Sequence, residues 1–259
     1  MLSKNQLKYI HSLKQKKFRE QYRLFIAEGP KIVDDLWKSG ITFKQLYANR
    51  VWIEKNNSLY EKKDVVEITN EELNKISLLT EPNEVFAIAE MPDHYLNEES
   101  LTSELTIILD DIRDPGNLGT IIRIADWFGI STIICSENSV DAFNPKVVQA
   151  TMGSIARIKV VYQNLSELFE KMKGKIPIYG ALLQGENIYG KKLNKNGFII
   201  IGNESKGISK ELLPYITDKI SIPSFAKHAP FGINKESVES LNAAMATAII
   251  CSEFRRTSL

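Results

Sequence analysis

Residues 104–136 read ELTIILDDIRDPGNLGTIIRIADWFGISTIICS. Two apolar runs, LTIILD and STIICS, flank a stretch whose apolar residues return at helical spacing. Four more such runs follow: RIKVVY from 157, IPIYGALL from 176, GFIIIGN from 197 and KISIP from 219. Helical patterns alternate with them: NLGTIIRIADWFG, NPKVVQATMGS, NLSELFEKMKG, SKGISKELLPYITD and the terminal ESLNAAMATAIICSEFRR. Strands apolar on both faces, alternating with helices, predict an α/β fold: a parallel sheet flanked by helices. Ligands in such sheets bind beyond the carboxyl ends of the strands. The loops after Leu109, Leu183, Ile201 and Ile222 are therefore the places to look for chemistry.

The region before 104 has another rhythm. A basic helix is expected to end near Lys17. FIAEGPKIVDDLWKSG follows, with Gly29-Pro30 opening a second helix that stops at Gly40. Short strands are expected at Gln45–Ala48, Asp64–Ile68 and Val85–Glu90. The polar, aperiodic MPDHYLNEESLTS (91–103) reads as a linker. The expected organisation is a small α/β domain over 1–91, a linker over 92–103, and a larger domain over 104–259.

The chain has 259 residues, of which 43% are hydrophobic and 25% charged, an ordinary globular composition. With 33 Lys+Arg against 32 Asp+Glu, overall charge names no partner. The distribution is uneven: residues 1–23 carry seven basic side chains against Glu20, a net of +6, which leaves the remainder at −5. Lys14, Lys16, Lys17, Arg19 and Arg23, with Tyr9, Phe18 and Tyr22 between, suit a phosphate-binding face. The same residues also fit a solvated amphipathic helix, because Leu7, Ile10 and Leu13 recur at helical spacing. No apolar run approaches the ~20 residues that span a bilayer. The first residues lack the apolar core of a secretory signal. Two cysteines, Cys135 and Cys251, each inside an apolar run, read as buried reduced thiols of a cytoplasmic protein. Neither they nor His11, His94 and His228 have zinc spacing, so no metal is expected.

The first loop, DIRDPGNLGTIIR (111–123), starts with a tight Asp-Pro-Gly-Asn turn. Asn117 is placed to cap the helix that carries Arg123. The second, GNESKGIS (202–209), has the glycine separation of a phosphate-binding loop. It has Ile208-Ser209 where Lys-Ser/Thr is required, so it is not one. A glycine admitting a ligand to the backbone remains, with Glu204 near a helix start. The third segment runs from Ile222-Pro223 to Ser240-Leu241-Asn242, where two small polar side chains open the last helix. Ala243, Ala244, Ala246 and Ala248 follow, a small-residue surface suited to close packing.

Taken singly these are a capped turn, a capping carboxylate and a capped helix. In this order and at these strand ends, Asn-x-Gly-x-x-x-Arg, Gly-Asn-Glu-x-x-Gly and Ile-Pro…Ser-Leu-Asn resemble the three motifs of the SpoU (TrmH) family of RNA 2′-O-ribose methyltransferases. Lys17-Phe18-Arg19 and Phe25-Ile26-Ala27-Glu28-Gly29 resemble that family's N-terminal, L30e-like RNA-binding domain. The resemblance implies a C-terminal trefoil knot, S-adenosylmethionine as cofactor, a homodimer through the catalytic domain, and an RNA substrate. Ribosomal RNA is the default and transfer RNA the alternative. It implies backbone contacts to the cofactor from Gly202, Ile222 and Leu241, with Leu183 beside them. Arg123 is then the catalytic arginine, with Asn117, Glu204, Ser240 and Asn242 completing the site and Glu204 placed to hold Arg123. The segment between Pro223 and Ser240, with His228, Pro230 and Phe231, is longer than the family's usual link. The competing class is a non-catalytic RNA-binding protein that retains the fold. No nucleophile–base pair supports acyl or phosphoryl transfer.

Overall fold

The computed structural model describes residues 2–60, 65–225 and 240–256. Asp64 and most of the long segment with His228, Pro230 and Phe231 lie outside the described residues. The chain forms two compact units: Met1–Asp93 with Asp141–Arg157, and His94–Val140 with Ile158–Leu259.

The first unit comprises α1 (Lys4–Ser12), α2 (Lys16–Tyr22), β1 (Leu24–Glu28), α3 (Pro30–Lys38), β2 (Phe43–Ala48), α4 (Arg50–Tyr60), β3 (Val65–Glu67), α5 (Asn70–Ile76) and β4 (Val85–Glu90). The expected single basic helix is two. A capping box between Ser3 and Gln6 starts α1, which ends at Ser12, and Arg23 in the left-handed region (φ 57°) ends α2. α3 begins at Pro30, whose missing N–H costs nothing at a helix start, and Gly40 (φ +77°) lies just past its end. The sheet order is β1-β4-β2-β3, with β4 antiparallel to β1 and β2, and β2 parallel to β3. Ile10 and Leu13 from the basic segment bury against Leu24, Ile26, Phe86 and Ile88 of the sheet.

Residues 141–157, expected in the larger domain, pack with this first unit and carry the helix Pro145–Thr151 (α8 in chain order). Phe143 sits 4.9 Å from Phe25 between ring centres. Asp141 accepts from Arg19, and Arg157 donates to Asp35 at 3.1 Å. The two polar contacts each link residues 122 positions apart, and together with the ring contact they hold the segment to the first unit.

The second unit comprises α6 (Glu98–Ser103), β5 (Leu105–Leu109), α7 (Pro115–Trp127), β6 (Thr132–Ser136), β7 (Lys159–Gln163), α9 (Leu165–Met172), β8 (Ile178–Asn187), β9 (Gly197–Ile201), β10 (Asp218–Ser221) and α10 (Ala243–Arg256). The stretch expected as linker thus holds a short helix, capped by Asn97 and anchored by buried Leu101. All six apolar runs are strands, in the order β10-β8-β9-β5-β6-β7, and every pair is parallel. Every residue of β5 and β9 is buried, as a sheet covered on both faces requires. The helix expected over 205–218 is only a 3-10 turn at Leu213–Tyr215. Residues 203–207 close on themselves in a loop, and Pro214 supplies no backbone donor to extend a helix.

Candidate active site

A cavity of about 630 Å³ opens at the carboxyl ends of β8, β9 and β10. Residues 181–184, 201–208, 219–222 and 240–241 form its wall, with Ala243, Ala246 and Ile250 of α10 behind them. Leu183, Gly202, Glu204, Ile222, Ser240 and Leu241, each singled out from the sequence, all lie on this wall. Leu183 is 74% exposed and Leu241 45%. They are apolar surface that an occupant of the cavity would cover.

Sheet register shapes the wall. β10 pairs with β8 at Lys219↔Gly180 and resumes at Ile220↔Glu186. Residues 181–185 leave the ladder between those pairs and bow out as one side of the cavity. The strand returns at Gly185, where a Cβ would overlap the backbone of Ile220. Gly202 has a related reason: a Cβ there would overlap the backbone of Gly207 and Ile208. The glycine expected to admit a ligand is thus required first by the chain's own close approach.

The loop after β9 is held from inside. Asn203 N–H donates to the Gly207 carbonyl (3.1 Å), and Gly207 N–H to the Asn203 carbonyl (2.8 Å). Oδ1 of Asn203 accepts from Ser205 N (3.0 Å) and Lys206 N (3.1 Å), and its Nδ2 donates to the carbonyl of Asp111 (2.8 Å). Asp110 is buried and accepts from Ser209 N at 2.6 Å. Asp110 and Asn203 tie the loops after β5 and β9 together. Sequence reading missed both, although an aspartate closing an apolar strand run was a signal for the first.

The three motif segments meet in one hydrogen-bonded chain. Asn117 Nδ2 donates to Glu204 Oε1, and Asn242 Nδ2 donates to Asn117 Oδ1 at 2.8 Å. Asn242 also caps α10, accepting from Ala244 N (2.9 Å). Two expectations are corrected here. The cap of α7 is Asp114, which accepts from Asn117 N (2.8 Å); Asn117 sits inside the first turn, with its side chain turned to Glu204. Glu204 holds Asn117, not Arg123. Arg123 is exposed on α7, and among the described residues its side chain has no hydrogen-bond or ion-pair partner. Arg113 and Lys206 flank the carboxylate of Asp111, at 2.7 and 3.8 Å.

In the first unit Lys14, Lys16, Lys17 and Arg23 are exposed. Lys16 lies 3.6 Å from Glu20, and Arg23 pairs with Asp93. Arg19 departs from expectation. It is 1% exposed, and its guanidinium donates to Leu13 O (2.9 Å), Lys14 O (2.8 Å) and Asp141, so it is enclosed rather than presented. Tyr22 stacks on Phe18 and meets Tyr9 edge to face. Of the alanines of α10, Ala243 and Ala244 are buried, Ala246 and Ala248 are half-buried, and Ala243 and Ala246 line the cavity. Cys135 and Cys251 are buried and unpaired; burial pushes both thiols up, Cys251 to about 12 with Arg255 opposing. Among the described residues no helix is long and apolar enough to cross a membrane, and no His/Cys/Asp/Glu group could hold a metal.

Comparison with known proteins gives two family matches that together span most of the chain. Residues 104–252 match the SpoU rRNA Methylase family, and residues 4–87 match the MRM3-like substrate binding domain. The 23S rRNA (guanosine(2553)-2′-O)-methyltransferase RlmP of Bacillus subtilis is 29% identical, over 98% of this chain and 97% of its own. A solved putative RNA methyltransferase of the TrmH family from Porphyromonas gingivalis is 36% identical, with 99% of each chain covered and a TM-score of 0.83. An AdoMet-bound rRNA methyltransferase from Sinorhizobium meliloti is 30% identical, covers all of this chain and 97% of its own, and also has a TM-score of 0.83. The hydrogen-bonded meeting of the three motifs, the parallel sheet beneath it and these matches agree on one family: the chain belongs to the SpoU rRNA methylases.

Proposed function

We propose that this protein transfers a methyl group from S-adenosylmethionine to a ribose 2′-hydroxyl of ribosomal RNA. The observation that carries the reading is that the second and third motif segments line one cavity, with Glu204 on its wall bonded to Asn117 of the first motif, and Asn117 to Asn242. Family membership and the 23S rRNA substrate of the Bacillus relative support ribosomal RNA as the substrate class.

The cavity fits the cofactor by size and lining. Sites for ligands of this size span roughly 300–1,000 Å³ and combine apolar walls with a few polar groups. Leu183, Leu241 and Ile222 are the apolar surface for the adenosine end, beside the backbone of Gly202. When bound, S-adenosylmethionine supplies an electrophilic methyl on a sulfonium. The residues' task is to hold a ribose hydroxyl in line and to stabilise charge developing on its oxygen. Arg123 suits that task. Its guanidinium stays protonated, so it clamps a phosphate and stabilises an oxyanion, and the 2′-hydroxyl proton leaves to a phosphate or to water. Asn117 and Asn242 fix Glu204 in place. Exposed Lys14, Lys16, Lys17 and Arg23 supply phosphate contacts that do not read sequence.

The same reading includes a trefoil knot and a homodimer formed through the catalytic domain, both resting on the family resemblance, and a cytoplasmic location, supported by two buried, unpaired cysteines. Ribose-methylation mapping of cellular RNA with and without the gene tests it. One ribosomal position should lose its 2′-O-methyl mark, and a map without loss would remove the assignment.

A further inference from the structure

Asp111 follows β5 with φ +57°, a left-handed conformation that aspartate tolerates better than most residues. Its backbone is locked at both ends. Its N–H donates to Ser136 Oγ (2.8 Å), and its carbonyl accepts from Asn203 Nδ2 (2.8 Å). The side chain is 15% exposed and faces two cations from different loops. Arg113 Nε lies 2.7 Å from Oδ1, and Lys206 Nζ 3.8 Å from Oδ2. Those side chains are 62% and 71% exposed. One fixed carboxylate therefore gathers two exposed cations and leaves the group with one net positive charge. Exposed pairs of this kind add little stability, so the arrangement is poorly explained as a fold support. Arg113 immediately precedes the cap of α7, the helix that carries Asn117, and Lys206 lies on the loop that carries Glu204 and on the cavity wall.

We propose that Arg113 and Lys206, pre-positioned by Asp111, form a binding site for an RNA backbone phosphate next to the nucleotide being methylated. A guanidinium fork and an ammonium converging on one point suit a phosphate. Asp111 is its placeholder: it holds the two cations together until phosphate replaces it as their partner. The site rests on the RNA-methyltransferase reading. It differs from the basic N-terminal segment by lying in the second unit, on the motif loops.

The test is fluorescence anisotropy of a labelled RNA hairpin with a single-stranded loop, titrated across salt concentrations with the full chain. Arg113→Gln and Lys206→Gln should each weaken binding by about tenfold and lower the slope of log affinity against log salt by about one. Asp111→Asn keeps an αL-tolerant residue but removes the competing charge. It should tighten binding and steepen the slope, a change that a purely structural role would not produce. Unchanged affinity and slope in both Gln variants, with the wild-type chain binding well, would overturn this site and leave the methyltransferase reading standing. Failure of the wild-type chain to bind the hairpin would overturn both.

Discussion

Asn242 Nδ2 donates to Asn117 Oδ1 at 2.8 Å, joining the entrance of α10 to the first turn of α7 across 125 positions of sequence. The amide of Asn117 then has both ends engaged, because its Nδ2 donates to Glu204. Asn117→Asp keeps the size and removes that donor, setting one carboxylate against another. A loss of about 1 kcal/mol in stability is expected for the hydrogen bond. Methyl transfer should fall much further, since Glu204 loses its fixed position. Denaturant unfolding beside single-turnover transfer separates the two effects, and equal small changes in both would deny Glu204 its anchored role.

Gly202→Ala tests why the second motif begins with glycine. The added Cβ overlaps the backbone of Gly207 and Ile208, so the loop must move. Overpacking of this kind costs roughly 1–3 kcal/mol. Cofactor affinity by calorimetry should fall together with stability, because the loop is part of the cavity wall. Full stability with lost affinity would point to a direct clash with ligand instead.

Arg19→Met probes the enclosed cation of the first unit. Removing it takes the counter-charge from Asp141, whose side chain is 13% exposed and keeps the Phe143 N–H, and leaves the carbonyls of Leu13 and Lys14 without this donor. Breaking a buried pair costs about 3–5 kcal/mol, and Asp141's partial exposure puts the expectation near the lower end. Guanidinium unfolding should show that loss, and a midpoint near that of the wild type would return Arg19 to the surface set.

The two thiols make a simpler prediction. Burial raises both, Cys251 to about 12, so neither offers thiolate near neutral pH. A thiol-specific disulfide reagent should label neither cysteine in the native protein and both in denaturant. Rapid native labelling of either would contradict the packing of β6 or α10.

The second unit was legible in the sequence because its strands are short unbroken apolar runs, from LTIILD to KISIP, and each became a strand. The first unit was less so. β1 is a buried strand whose LFIAE runs straight into Gly29-Pro30, where a helix was expected to open, and no strand was expected before it. Local pattern also cannot show long-range pairing. Arg19 reads as one more surface cation until Asp141 meets it, and residues 141–157 read as part of the second domain until Phe25 and Asp35 claim them. The motif residues were found by resemblance. Their connections were not, because Asn117 reaches Glu204 across 87 positions, and turn chemistry alone favoured a capping role that Asp114 fills.

Arg123 carries the chemical part of the account. Arg123→Ala should still bind cofactor and RNA and, with both saturating, slow single-turnover transfer by about two to three decades, the effect of roughly 3–4 kcal/mol of transition-state stabilisation. Arg123→Lys should recover little, since an ammonium has no planar fork. A near-wild-type rate for the alanine variant would remove the residue from the mechanism.

The most direct measurement of the central claim uses purified protein, S-adenosylmethionine labelled in its methyl group, and ribosomal RNA from a strain lacking the gene. After digestion to nucleosides, the label should be found in a single 2′-O-methylnucleoside. Label in a base-methylated nucleoside, or none in RNA despite cofactor binding, would contradict ribose methylation as this protein's activity.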